Sequence, residues 1–328
     1  MDGITVYYRQ MRGWPMSPKR NMKRWVATVC VMVDRYISLH GCPDVIHAHC
    51  AKWAGLAAMK IGEKWGIPYV VTEHLSSLVF ATEIKGKPED AWQVELLKRV
   101  YKRAARVVPV AAELVDNIAP YFGKDYQWTE VPNTIDTDFF RFCHRKPVEG
   151  RTFTFCCLAM FIPLKGYDVL LDAFSRFLKE SGNDARLIVA GTYTDSPRLA
   201  NMVENLGLKG KVDIRGLVDK QGVRSILYES DCLVLASRSE AQPLALIEAM
   251  STGIPVVSTE IIPKSMRLEG CHIVPVDDVA AMAREMRNVR DNYDQVRGEV
   301  ISRNISQRFS PEVVGEKLTE VFTMVKTS

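Results

Sequence analysis

What this 328-residue chain lacks narrows its function first. It has no long apolar run: the most extended one near the start, VATVCVMV at residues 26–33, falls far short of the ~20 residues a bilayer-spanning helix needs. The opening residues also lack the basic-then-apolar pattern of a secretory leader, so the expectation is a cytoplasmic protein. Cysteine occurs eight times, at 30, 42, 50, 143, 156, 157, 232 and 271, yet never as C-x-x-C. That spacing argues against zinc sites and disulfide frameworks and for reduced thiols within apolar runs. A strong charge of one sign is missing too. Lys and Arg number 43 against 39 Asp and Glu, leaving +4, and no nucleic-acid-binding motif is present, so nucleic acid is not expected as a partner.

The small excess of positive charge is unevenly spread. Residues 1–148 hold 21 Lys and Arg against 15 Asp and Glu, a net of +6, while the remainder is −2. The excess gathers between residues 9 and 25, where Arg9, Arg12, Lys19, Arg20, Lys23 and Arg24 lie among Trp14 and Trp25. Basic residues beside tryptophan suit an anionic membrane surface. A solvated basic face accounts for the composition equally well.

Hydrophobic content of 47% and a length beyond one typical domain predict two globular domains. Short apolar runs alternate with amphipathic, helix-length segments, the pattern of parallel sheets covered by helices. Strands are expected at 44–49, 68–74 and 106–110, then at 153–158, 186–190, 211–214, 232–236, 255–259 and 272–276, with helices at 55–65 and 92–105. After Lys165, the spacing of Val169, Leu170, Ala173, Phe174, Phe177 and Leu178 predicts a helix with one buried face. Val314, Leu318, Val321, Phe322 and Val325 mark a last helix from Pro311. The polar segment RKPVEG, 145–150, reads as a linker. The expected division is 1–147, 148–310 and a closing segment 311–328.

The densest functional signal is SRSEAQPLALIEAMSTGI, residues 237–254. Glu240 sits in a loop after an apolar run, Pro243 at a helix start and Glu248 on that helix. Proline lacks the amide proton that the first helical position leaves unpaired, and the amides around it can bind an anion. From Pro243 to Glu248 the helix rises roughly 8 Å, so a diphosphate over its tip would have one carboxylate beside each flanking sugar. Taken alone, a strand-end glutamate and an exposed helical one describe the segment as well.

The segment, continued by PVVST, resembles the signature of the family 4 retaining glycosyltransferases. The resemblance implies an α/β fold of GT-B type, with two Rossmann-like domains facing a cleft and a last helix packing back on the N-terminal domain. It implies a nucleoside-diphosphate sugar as donor, a carbohydrate or lipid-linked acceptor and no metal cofactor. Retention in that family is described as front-face displacement, in which the departing phosphate takes the acceptor's proton. By the same resemblance Glu240 contacts the transferred sugar, Lys165 in FIPLKGYDVLL approaches the donor phosphates and His74, ending PYVVTEH, faces the donor sugar. Glu248 accepts from the nucleotide ribose, while Gln242, Pro243 and Leu244 at the helix tip, with Gly191 and Met160, line the donor site. The expected setting is bacterial-type cell-surface polysaccharide synthesis, and the basic segment 9–25 adds the inner face of the membrane as an expected peripheral location.

Several positions depart from the family pattern. Met160 stands where many members carry an arginine against the diphosphate, and methionine offers neither charge nor donor. Ala241-Gln242-Pro243 replaces Gly-Phe-Gly, Thr192 and Tyr193 follow Gly191 where another glycine often sits, and Ile261 and Ile262 replace a glycine pair. The 43 residues before DVIHAH are fewer than the family's opening strand-helix repeats need, so the expectation is either a start placed downstream of the true one or a shortened N-terminal domain. A rival reading is a truncated, inactive paralogue that binds a nucleotide, glycan or partner protein. A glycoside hydrolase is less well supported, since no second catalytic acid can be placed. His47 and His49 alternate on one strand without a third ligand, a poor metal site, and His47 reads as a packed residue. Asp136-x-Asp138 matches the family's turn rather than a metal motif.

Overall fold

The computed structural model describes residues 4–15, 17–74, 91–145, 151–182 and 184–327. The chain divides into two compact units, Met1–Val131 with Glu316–Ser328, and Pro132–Gly315. Of the expected linker, 146–150 lies outside the described residues, as does the boundary placed between residues 147 and 148.

In the first unit, helix α1 (Pro18–His40) precedes strand β1 (Ile46–His49), helix α2 (Leu56–Trp65), strand β2 (Tyr69–Glu73), helix α3 (Ala91–Arg103), strand β3 (Arg106–Pro109) and helix α4 (Glu113–Phe122). The three strands pair in parallel in the order β1-β2-β3. Among the described residues the sheet begins at β1. The core gathers Met22 and Val26 from α1, Leu56 to Met59 from α2, Val71 from β2 and Val100 and Tyr101 from α3. Trp25 faces inward and packs edge-on against Trp53, ring centroids 5.8 Å apart, so it does not belong to the exposed basic face on which the sequence placed it.

The second unit alternates strands β4 (Phe153–Leu158), β5 (Ala185–Ala190), β6 (Val212–Ile214), β7 (Cys232–Leu235), β8 (Val256–Thr259) and β9 (Cys271–Val274) with helices. These are α5 (Tyr167–Ser181), α6 (Pro197–Asn205), α7 (Lys220–Glu229), α8 (Leu244–Ser251), α9 (Val279–Asp291), α10 (Gly298–Phe309) and the start of α11 (Pro311–Lys326). The strands are all parallel and ordered β6-β5-β4-β7-β8-β9. Counted from β4 this is 3-2-1-4-5-6, the doubly wound dinucleotide-fold order. Its strands are buried on both faces, which is why FTFCCL and CLVL read as continuous apolar runs rather than alternations. The predicted stripe on α5 is buried as the three-and-four spacing requires.

Such a sheet reverses its winding between β4 and β7, and ligands bind outside the carboxyl ends of the strands at that point. The loops leaving β4 and β7 meet there. Gly166 makes the meeting possible: its φ is +61°, and a Cβ on it would lie 2.0 Å from the Ala236 carbonyl oxygen.

Candidate functional site

The loop after β4 carries Met160 and, in a short 3-10 turn Pro163–Lys165, the lysine that the sequence singled out. The loop after β7 carries Glu240. Lys165 Nζ donates to Glu240 Oε1 at 2.6 Å, and the Ser237 hydroxyl donates to the same oxygen at 2.6 Å. Thr259, at the end of β8, donates its hydroxyl to the Ser237 carbonyl at 2.6 Å. Glu240 is therefore a nearly buried carboxylate, its side chain 8% exposed, held between a cation and a hydroxyl by the ends of three strands. Sequence reasoning missed Ser237 and Thr259, although Ser237 lies within the same motif.

Pro243 is extended, with φ −70° and ψ 110°, and caps α8; the first helical residue is Leu244. This corrects the expected helix start by one residue. Proline fixes φ but leaves ψ to the loop, and here ψ stays extended. Measured from Leu244, Glu248 sits about 6 Å along the helix axis rather than about 8 Å. The amides of Leu244 and Ala245, in the first turn, have no intrahelical acceptor. Gln242 is 7% exposed; its Oε1 accepts from the Asn133 amide at 2.6 Å.

Glu248 is half-buried, and that burial raises its pKa, an effect the nearby Lys220 partly offsets. Lys220 also donates to Asp136 at 2.8 Å, while the Phe139 amide donates to the other Asp136 oxygen at 2.9 Å. The Lys220 ammonium and that amide hold Asp136 below its usual carboxylate range. Among the described residues no group of three or more His, Cys, Asp or Glu is placed to hold a metal ion.

Two positions that depart from the family pattern, Tyr193 and Met160, lie in the loops after β5 and β4. Gly191, with φ +142°, would place a Cβ 2.3 Å from the Ala159 carbonyl oxygen, so it lets the β5 loop lie against the β4 loop. Tyr193 keeps the left-handed backbone, φ +67°, that a glycine would adopt more readily. Met160 is 41% exposed and brings no charge to the site. Arg238 does not replace it. Its guanidinium is committed to Asp277, Asp168 and the Pro163 carbonyl at 2.6 to 2.7 Å.

The histidines form a separate cluster in the first unit, at the ends of β1 and β2. His47 pairs with the Thr72 hydroxyl through Nε2 at 2.7 Å and packs against Phe322 with ring centroids 5.3 Å apart. Burial, then the neighbouring His49 and His74, lower its pKa to about 4. His74 takes its backbone position from Glu73, whose Oε1 accepts the His74 amide at 2.9 Å. Glu73 is 1% exposed, and its Oε2 accepts from the Ala51 amide at 3.2 Å and the Tyr101 hydroxyl at 2.8 Å. Nothing in the sequence marked Glu73 as other than a strand residue.

The two halves of the chain match separate family models. Residues 4–139 match the model described as Glycosyltransferase Family 4, and residues 152–292 that described as Glycosyl transferases group 1. The chain belongs to the family 4, group 1 glycosyltransferases. The D-inositol 3-phosphate glycosyltransferase of Paenarthrobacter aurescens is 27% identical over 259 residues, covering 74% of this chain and 63% of that protein. TuaC of Bacillus subtilis, a glycosyltransferase named for teichuronic acid biosynthesis, is 29% identical over 272 residues, 79% of this chain and 64% of its own. The chain thus spans less than two thirds of the length of these relatives. Sucrose-phosphate synthase from Thermosynechococcus elongatus shares the fold with a TM-score of 0.78 at 16% identity, over 94% of this chain and 80% of that one. Anabaena Alr3699/HepE in complex with UDP does so with a TM-score of 0.74 at 15% identity, over 95% and 84%. The fold of the chain is the GT-B type that the motif implied.

Proposed function

We propose that the chain transfers a sugar, with retention of anomeric configuration, from a nucleoside-diphosphate sugar to a carbohydrate or lipid-linked acceptor in cell-surface polysaccharide synthesis. The observation that carries this reading is the Lys165–Glu240 pair, 2.6 Å apart, at the winding reversal of a dinucleotide-type sheet. Phosphate chemistry needs a cation there, and sugar transfer needs a carboxylate near the developing positive charge of the anomeric carbon. Lys165 and the first-turn amides of α8 stabilise the departing diphosphate, Glu240 steadies the sugar, Glu248 accepts from the ribose and His74 meets the sugar. The bond from anomeric carbon to phosphate oxygen breaks as that to the acceptor oxygen forms, and the leaving phosphate takes the acceptor's proton. The proposal assigns no metal to this chemistry. TuaC, named for teichuronic acid biosynthesis, supports the setting, and a structural neighbour carrying UDP supports the donor class.

Calorimetric titration with UDP, GDP and ADP tests the donor half. One base should bind selectively, and Glu248→Gln should weaken it about tenfold or more, since charge-assisted hydrogen bonds contribute ~1.5–3 kcal/mol. The same variant should be more stable than the wild type at pH 7. Burial raises the folded pKa of Glu248, so ionised Glu248 opposes folding at neutral pH, and the difference should vanish as pH falls below the unfolded carboxylate range near ~4.3. Unchanged nucleotide affinity in the variant would remove Glu248 from the site. Met160 favours a second reading, a nucleotide-binding protein without turnover, because it leaves the diphosphate one cation short of the family pattern. Selective binding with no transfer to any acceptor would bring that reading forward.

The same proposal places the protein on the inner, anionic face of a membrane. Among the described residues no helix is long and apolar enough to cross one. Arg9, Arg12, Lys19, Arg20, Lys23 and Arg24 are all exposed, and the guanidiniums of Arg20 and Arg24 lie 4.9 and 4.6 Å from the centre of the Trp14 ring. Changing Arg20, Lys23 and Arg24 to Gln should weaken binding to phosphatidylglycerol vesicles by on the order of a hundredfold, at ~1 kcal/mol per charge. Equal binding to neutral vesicles, or none to anionic ones, argues against the surface.

A further inference from the structure

His74 has its backbone fixed by Glu73, but its imidazole is oriented by a different residue. Nδ1 of His49 and Nε2 of His74 are 3.0 Å apart, and the two rings lie nearly parallel at 11° with centroids separated by 5.3 Å. The pairing of β1 with β2 produces this proximity by setting His49 opposite Thr72, two residues before His74. On its other side His49 meets the ring of His47, centroids 4.5 Å apart. His47 is in turn fastened to the Thr72 hydroxyl and to Phe322. The three rings form a row anchored at the buried end, with His49 as the exposed link between a packed histidine and His74.

The geometry points to His49 as a positioning residue for His74, an inference that rests on the proposed transfer reaction. A single proton lies between the two facing nitrogens. If His49 Nδ1 carries it, His74 Nε2 accepts and the other nitrogen of neutral His74 bears a hydrogen. If His74 Nε2 carries it, the other nitrogen is an acceptor. Either way the tautomer of His74 is complementary to that of His49, and the ring cannot turn over without breaking the bond. The hydrogen-bonding character that His74 offers a sugar hydroxyl is thereby set by a neighbour that needs no contact with the sugar.

Kinetics on the full chain, with the donor nucleotide that binds and its sugar, tests this alongside imidazole nitrogen-15 NMR. His49→Ala should lower kcat about tenfold, the worth of one orienting hydrogen bond, with nucleotide affinity and thermal midpoint unchanged. His49→Asn should restore most of the rate, because its side-chain amide reaches the place of Nδ1. In the spectra, His74 should show one tautomer in the wild type and a mixture in His49→Ala. Wild-type kcat in His49→Ala, equal impairment in the alanine and asparagine variants, or an unchanged tautomer would each overturn the assignment. Should the wild type bind nucleotide but transfer nothing, the transfer reading fails while the tautomer measurement still decides whether His49 positions His74.

Discussion

Glu240→Ala should abolish sugar transfer while leaving nucleotide binding and the fold in place. The carboxylate sits where the sugar must lie if Lys165 meets the phosphates, and one preorganised electrostatic group of this kind is worth roughly 10²–10³ in rate. The alanine variant also removes the acceptor that Lys165 and Ser237 now share, so a buried hydroxyl and a partly exposed ammonium lose a partner. Glu240→Gln separates the two effects. A glutamine carbonyl oxygen can still accept from both donors, but the negative charge is gone, so the variant should melt near the wild type and remain almost inactive. Initial rates with the donor sugar, read beside nucleotide titrations, decide the matter; wild-type rates in either variant would remove Glu240 from the chemistry.

Acid should loosen the first unit through His47. Its folded pKa is about 4, well below the ~6.5 of an unfolded histidine, so between these values the unfolded chain binds the extra proton. The stability that neutral His47 contributes is complete above about pH 6.5 and is lost as pH falls through that window toward 4. Solvent screening at this partly exposed ring holds the effect to on the order of 1 to 2 kcal/mol, below the full ~1.36 kcal/mol per pKa unit. His47→Gln, whose amide can meet the Thr72 hydroxyl from the position of Nε2, should flatten the pH dependence across that window. Urea midpoints at a series of pH values provide the readout. An equal slope in wild type and variant would place the acid sensitivity elsewhere.

The sheets were legible because parallel strands buried on both faces produce apolar runs that need no partner to be recognised. The candidate site loop could be read as a unit because Glu240, Gln242, Pro243, Leu244 and Glu248 are neighbours in the chain. The error at Pro243 is of one residue and one angle: sequence sets the ring's φ, whereas the loop sets ψ. What stayed hidden depends on strand order. Gly166 looked like an ordinary residue after a lysine until β7 brought the Ala236 carbonyl beside it. His49 and His74 carry no mutual signal in sequence, and only the β1–β2 register stacks them. Glu73, buried among donors that include the Ala51 and His74 amides and the Tyr101 hydroxyl, contradicts the usual exposure of glutamate and is explained by that surrounding.

Helix α11 gives the molecule a distinctive order of assembly. Its residues from Glu316 onward belong to the same unit as Met1–Val131, which precedes the second unit in the chain. Phe322 packs on His47, the Arg106 guanidinium reaches Met324, and Lys326 pairs with Asp44 at 2.9 Å. As the ribosome delivers the chain, these contacts cannot form until all of Pro132–Gly315 has emerged. The continuous second unit can therefore finish folding before the discontinuous first unit is complete.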